Sequence, residues 1–191
     1  KIGGQMSGVE LFNVVQKLGI NIHPYVFITA HTLDHNEFSK LDPNMPRPRV
    51  FCVEWLDPLM ACGHWVPEMV EWAGGVEVVG KPAARSRVVD WSEVIDAQPE
   101  VLILMPCGIP IPRIREELGL LRRAPGWDQL PAVQREAIYL VDGPSYFNRA
   151  GPKLVDGVEL LASLLHPEEG WPPVPAQAME HVGSAGCSAG H

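Results

Sequence analysis

The chain has 191 residues and a mass of 21.0 kDa, the size of one ordinary domain or two small lobes. Hydrophobic residues make up 46% and charged residues 20%, which excludes wholesale disorder. The formal charge of −8 argues against a nucleic-acid partner, since such proteins cluster Lys and Arg against phosphates, and the longest apolar runs, such as Val101–Met105, fall far short of the ~20 residues that cross a bilayer.

Val9–Leu18 reads as a short amphipathic helix, with Leu11, Phe12, Val15 and Leu18 on one side and Gly19 as its stop. Tyr25–Ala30 reads as a strand. His31–Pro48 is polar and carries Pro43, Pro46 and Pro48, so it is expected to be a linker or lobe boundary. The register then becomes regular. Arg49–Trp55 is predicted as a strand, Trp65–Ala73 as a helix ending at Gly74-Gly75, and Val76–Val79 as a short strand. Asp90 or Ser92 caps a helix through Ala97, and Gln98-Pro99 ends it. Val101–Met105 is continuously apolar, which suits a sheet covered on both faces. Ile111–Leu121 is predicted as a helix, with Pro110 and Pro112 at its start. Ala137–Val141 is predicted as a strand and Gly151–Leu165 as a closing helix. Glu168–His191 is rich in Pro, Gly, Ala and Ser and is expected to be mobile. Alternating strands and helices predict an α/β fold, a mostly parallel sheet with helices on both faces.

In such sheets ligands bind beyond the carboxyl ends of the strands. The loop after the first strand offers Glu54, Trp55, Asp57, Gly63, His64 and Trp65, and the segment after Ala137–Val141 offers Tyr146, Phe147, Asn148 and Arg149. Aromatics beside hydrogen-bonding side chains suit a large, flat, partly apolar small molecule. Each residue also has a plainer reading. Trp72, Trp91 and Trp127 are most simply packing residues. Trp55 and Trp65 read equally as packing or ligand contacts, and His64 as a ligand contact or a loop cap. No second His or carboxylate lies at metal-ligand spacing from His64, and prolines weaken any helix that would align His31 with His35. The cysteines Cys52, Cys62, Cys107 and Cys187 form no C-x-x-C pair. Buried small hydrophobes are the simplest reading for Cys52 and Cys107, and a Cys52–Cys62 disulfide is left open. Nucleophile-elbow, P-loop and dinucleotide fingerprints are absent. A binding protein rather than an enzyme is therefore expected, with no required cofactor. The enzyme alternative would use Glu54, Asp57 and His64.

The run Arg49-Val-Phe-Cys-Val-Glu-Trp-Leu-Asp-Pro58, followed by Gly63-His-Trp-Val-Pro-Glu-Met-Val-Glu-Trp-Ala-Gly-Gly75, resembles the cobalamin-binding branch of the ABC-transporter solute-binding proteins. Asp90-Trp91, Pro99-Glu-Val-Leu-Ile103, Pro125-Gly-Trp-Asp128 and Tyr146-Phe-Asn-Arg-Ala-Gly-Pro152 extend the resemblance in order. It covers about Pro48 to Pro167 and corresponds to the C-terminal lobe of a two-lobe fold joined by a long helix. The division it implies is a partial N-terminal lobe and linker over 1–48, a solute-binding lobe over 49–167, and a flexible tail over 168–191. It implies cobalamin or a related corrinoid as ligand, held without covalent chemistry around Glu54–Trp65 and Tyr146–Arg149. It implies an ABC permease as partner, docked through a surface carboxylate for which Glu68 and Glu71 are the candidates, both equally readable as a solvated helix face. Haem, a siderophore or a metal ion on the same fold is the alternative. A complete first lobe needs about 100 residues on the usual domain-size prior, so the shorter segment before Pro48 leads to an expectation of self-association. The resemblance implies a periplasmic or cell-surface location, with a cytoplasmic one left open because no signal-peptide pattern is visible.

Overall fold

The computed structural model describes residues 44–149, 151, 153–171 and 173–183. The expected helix Val9–Leu18 and strand Tyr25–Ala30, and with them most of the expected 1–48 unit, lie outside the described residues. The described chain runs β1 (Arg49–Leu56), β2 (Leu59–Ala61), α1 (Val66–Trp72), β3 (Val76–Glu77), β4 (Arg87–Val88), α2 (Trp91–Ala97), β5 (Val101–Leu104) and α3 (Ile111–Arg122). A 3-10 turn at Trp127–Gln129 follows, then α4 (Pro131–Gln134), β6 (Ile138–Val141), α5 (Gly143–Tyr146), α6 (Lys153–Leu165), a 3-10 turn at Pro167–Glu169 and β7 (Met179–His181).

The strands form one mixed sheet in the order β4-β2-β1-β5-β6-β7, with β3 also on β1. Its centre is parallel, β1 against β5 and β5 against β6. The two-residue period of a strand sorts the core into two layers. Val50, Cys52, Ile103 and Met105 face α1 and α6, where Met69, Val70, Leu154, Val158 and Leu161 cover them. Phe51, Val53, Leu102 and Leu104 face the other way, against Val94 of α2, Ile114 and Leu118 of α3, Trp127 and Leu130. With both faces covered, β5 has no wet side to mark with polar residues, which is why its sequence shows no alternation. Each such aliphatic side chain contributes about 1.5–3 kcal/mol on burial.

Local signals set the helix ends. Asp90 precedes α2, and the Glu93 carboxylate reaches back to accept its N–H at 3.1 Å, the reciprocal half of a capping box. Gln98 closes that helix in the left-handed region at φ 44°. The tryptophans read as packing residues do pack: Trp91 stacks on the buried Trp127 with centroids 6.1 Å apart, and Trp72 lies against the layer of α1 and α6.

Two features depart from the sequence reading. The first is at the sheet margin, where β1 changes neighbours along its length. At Arg49–Val50 it pairs with β3, and from Val53 onward with β2. Glu77 fills the junction, its carboxylate accepting N–H bonds from Cys52 (3.0 Å), Val79 (3.0 Å) and Gly80 (2.9 Å). A buried N–H left without a partner costs about 1–3 kcal/mol, so one side chain here does what a strand would. This ends β3 at Glu77 rather than at Val79. Burial pushes the Glu77 carboxyl above its ordinary value even though the backbone donors pull it down.

The second is in the segment expected as a flexible tail, part of which forms a strand. Met179–His181 pairs antiparallel with β6, Ala178 is fully buried, and Trp171 packs on the core. Arg115 anchors the new strand through Glu180, with Nε to Oε1 at 2.7 Å. The ring of Tyr139 stacks on His181 at 5.0 Å. Without β7 the outer edge of β6 would expose an open ladder, and that demand outweighs the loop-like composition. The antiparallel pairings, β1 with β2, β2 with β4 and β6 with β7, all lie at the margins of the parallel centre.

Candidate functional site

Because β1, β5 and β6 run parallel, the segments that follow them collect at one end of the sheet. They enclose a concave pocket of about 210 Å³. Six of the residues singled out from sequence line it: Glu54, Gly63, His64, Trp65, Phe147 and Asn148. The two stretches that supply them are tied together directly, since the Trp65 indole N–H donates to the Phe147 carbonyl at 2.8 Å.

One wall is shaped by a close backbone approach. The His64 N–H donates to the Ala84 carbonyl at 2.6 Å, and the Ala83 N–H to the His64 carbonyl at 3.0 Å. A Cβ on Gly63 would sit 2.5 Å from both the Ala84 oxygen and the Ser86 nitrogen, so no larger residue fits. His64 and Ala83 both adopt φ 57°, a left-handed conformation that costs a non-glycine residue about 1–2 kcal/mol. The surrounding hydrogen bonds hold it and leave the His64 side chain exposed on the pocket wall. The Ser86 hydroxyl donates to Glu54 Oε2, fixing that carboxylate at the pocket.

Trp55, Asp57 and Tyr146 are not brought to this pocket. Trp55 follows Glu54 where β1 shifts register against β2 between Val53 and Trp55, and it does not line the pocket; its indole N–H bonds the Asp57 carbonyl at 3.0 Å. Asp57 is exposed in the turn between β1 and β2. The acid/base set Glu54, Asp57 and His64 is therefore not assembled around one cavity. Tyr146 lies under Lys153, with Nζ 5.6 Å from the ring centroid, and lines a separate cavity with Asp156 and Pro173. Arg149 is exposed.

The sequence reading missed Cys62, Val66, Met105 and Cys107, which also line the pocket. Met105 ends the continuous apolar run at β5 and Cys107 sits in the loop beyond it, so the rule of strand carboxyl ends could have found both. Cys62 lies in the loop already singled out, one residue before Gly63, but its sequence context pointed only to a possible disulfide. Cys52, Cys62 and Cys107 are free thiols, and burial pushes the first two well above the ordinary thiol value. Glu71 is exposed on α1 and Glu68 half-buried. Among the described residues no three His, Cys, Asp or Glu side chains could hold a metal ion. A wider groove of about 380 Å³, lined in part by Arg47, Glu100 and Arg135, lies at the opposite, amino end of the strands. Arg135 and Glu100 are already paired there.

No family model and no curated protein matches the chain. Solved structures do match its fold, which is that of one lobe of a periplasmic solute-binding protein. An ABC transporter substrate-binding protein from Listeria monocytogenes EGD-e is 14% identical, with TM-score 0.65, 85% of this chain and 66% of that one covered. A periplasmic heme binding protein from Pseudomonas aeruginosa is 17% identical, with TM-score 0.61 and coverages of 90% and 62%. A periplasmic vitamin B12 binding protein from Vibrio cholerae is 19% identical, with TM-score 0.55 and coverages of 85% and 62%. This chain thus spans less than two thirds of the length of each. These neighbours are binding proteins rather than enzymes, and B12 is one ligand named among several, so the resemblance to the cobalamin branch stands only at the level of the wider fold. Among the described residues no helix is long and apolar enough to cross a membrane.

Proposed function

We propose that this chain is the ligand-holding lobe of a solute-binding protein that captures a corrinoid such as cobalamin, without covalent chemistry, outside the cytoplasmic membrane and passes it to an ABC permease. The observation that carries the reading is the pocket at the strand carboxyl ends, where the half-buried Trp65 offers flat apolar surface beside Glu54, His64 and Asn148. The Asn148 Nδ2 is buried and has no hydrogen-bond partner among the described residues. A ligand acceptor would relieve that cost of about 1–3 kcal/mol. At about 210 Å³ the pocket is smaller than the ~300–1,000 Å³ of a complete small-molecule site, which suits a half-site whose ligand is covered from the other side. The solved neighbours named for vitamin B12 and heme support a large ring-shaped ligand. Haem is the second reading, favoured by the additional heme-binding neighbours from Roseiflexus and S. aureus.

The test is titration with cobalamin, dicyanocobinamide and haemin, read by tryptophan fluorescence and by visible absorbance co-eluting with the protein. Quenching by a corrinoid, weakened by about 1–3 kcal/mol in Trp65→Ala, is expected. Full quenching by haemin with no corrinoid response would move the ligand to haem, and no response to either would remove the reading. Docking is tested separately. Reversing both Glu68 and Glu71 to Lys should slow association with the permease, less so in high salt, and leave ligand affinity unchanged.

A further inference from the structure

Three residues lining the pocket carry sulfur, Cys62, Met105 and Cys107, and a fourth is the imidazole of His64. Imidazole and soft sulfur are donors for transition metals, not for hard cations. Yet the wall cannot close a coordination shell on a bare ion. A structural or catalytic zinc site takes three or four protein donors, and among the described residues no such group of three forms. A metal already held in the plane of a macrocycle is different, because it needs only one further donor. Cys62 and Met105 are 2% and 1% exposed, whereas His64 and Cys107 are exposed. Of those two, imidazole coordinates as the neutral ring, while a thiol must first lose its proton. Among the described residues neither ring nitrogen of His64 has a hydrogen-bond partner, and its ring lies 5.7 Å from that of Trp65.

We propose that the pocket grips its ligand through the metal, with His64 supplying one axial nitrogen to the metal of a flat macrocyclic complex. The inference rests on the macrocycle reading above and adds the atom that makes the bond. The step is a ligand exchange. The metal–water bond breaks and water leaves, a ring-nitrogen lone pair forms the metal–nitrogen bond, and no oxidation state changes.

The experiment uses the whole chain and two probes, aquocobinamide, whose axial water exchanges, and dicyanocobinamide, whose axial positions are both filled. Because His64 holds φ 57°, the main variant is His64→Asn, which tolerates that backbone, with Cys107→Ser alongside. The wild type should shift the visible spectrum of aquocobinamide. His64→Asn should lose that shift and about tenfold or more in affinity for this probe, and a clearly smaller factor for dicyanocobinamide, to whose filled axial positions no ring nitrogen can bond. A shift that persists in His64→Asn overturns the proposal, and so does one that disappears in Cys107→Ser instead. If neither aquocobinamide nor dicyanocobinamide binds the wild type, the corrinoid reading is what falls. A haemin spectral shift lost in His64→Asn would then still support His64 as the donor, and one retained would overturn it.

Discussion

Replacing Gly63 by Ala tests whether the pocket wall is set by backbone contact. Gly63 does not have a positive φ, so the substitution adds no conformational strain, only a methyl group. That methyl would meet the Ala84 oxygen and Ser86 nitrogen at 2.5 Å and the Arg85 carbonyl carbon at 2.6 Å. All three are backbone atoms, so no flexible side-chain end can yield. The segment 84–86 must move out, straining or breaking the two bonds between His64 and Ala83–Ala84, each worth about 1 kcal/mol net. Overpacking adds about 1–3 kcal/mol. With both bonds lost the expected loss is about 3–5 kcal/mol, a large share of the ~5–15 kcal/mol that stabilises a domain. Urea denaturation followed by tryptophan fluorescence measures it from the midpoint at constant slope. Gly119→Ala is the reference, since it lies inside α3 with nothing within 4 Å of the added carbon. It should gain about 0.5–1 kcal/mol. A Gly63→Ala loss below about 1 kcal/mol, or a Gly119→Ala loss of similar size, would refute the close-approach argument.

Trp65→Phe keeps a ring in the pocket but removes the donor to Phe147; it should cost about 1 kcal/mol, and wild-type stability by urea denaturation would show that the bond ties nothing. For Glu77, the native carboxyl holds its proton more tightly than the unfolded one, so its contribution to stability is greatest below the unfolded value of about 4.3 and declines as pH rises toward the native value. The stability gap between wild type and Glu77→Gln should therefore narrow as pH rises from about 4, and a widening gap in urea titrations would reverse the assignment. Glu180 is the opposite case, because the hydrogen bond from Arg115 lowers its carboxyl. Arg115→Ala should lower stability slightly at neutral pH, less once acid protonates Glu180, and should raise hydrogen exchange in Met179–His181; unchanged exchange there would mean that the ladder alone holds β7.

The self-association expected for a bared lobe gains little from the described surface. Val76, Val88 and Leu120 are its exposed large hydrophobics and sit on three different elements, so no single element presents an apolar face.

Periodicity and punctuation alone placed the central elements. The β5 run is too apolar for a half-wet strand, the spacing of Leu154, Val158 and Leu161 is helical, and Gln98-Pro99 ends α2, all of which follow from interactions within a few residues. The rule of strand carboxyl ends then selected loops that do converge, because parallel strands must send their following segments to one side. Tertiary structure decided what depends on distant partners. Composition gave no warning that Met179–His181 would pair with β6, since the demand comes from the open edge of β6 and not from the tail. Nor could spacing show that Glu77 would cap the N–H of Cys52, or that Ala83–Ala84 would lie against His64. The candidates separated on the same ground. Glu54 and Trp55 are neighbours in sequence, but only Glu54 lines the pocket, at the point where β1 shifts register against β2, and spacing alone does not show that irregularity.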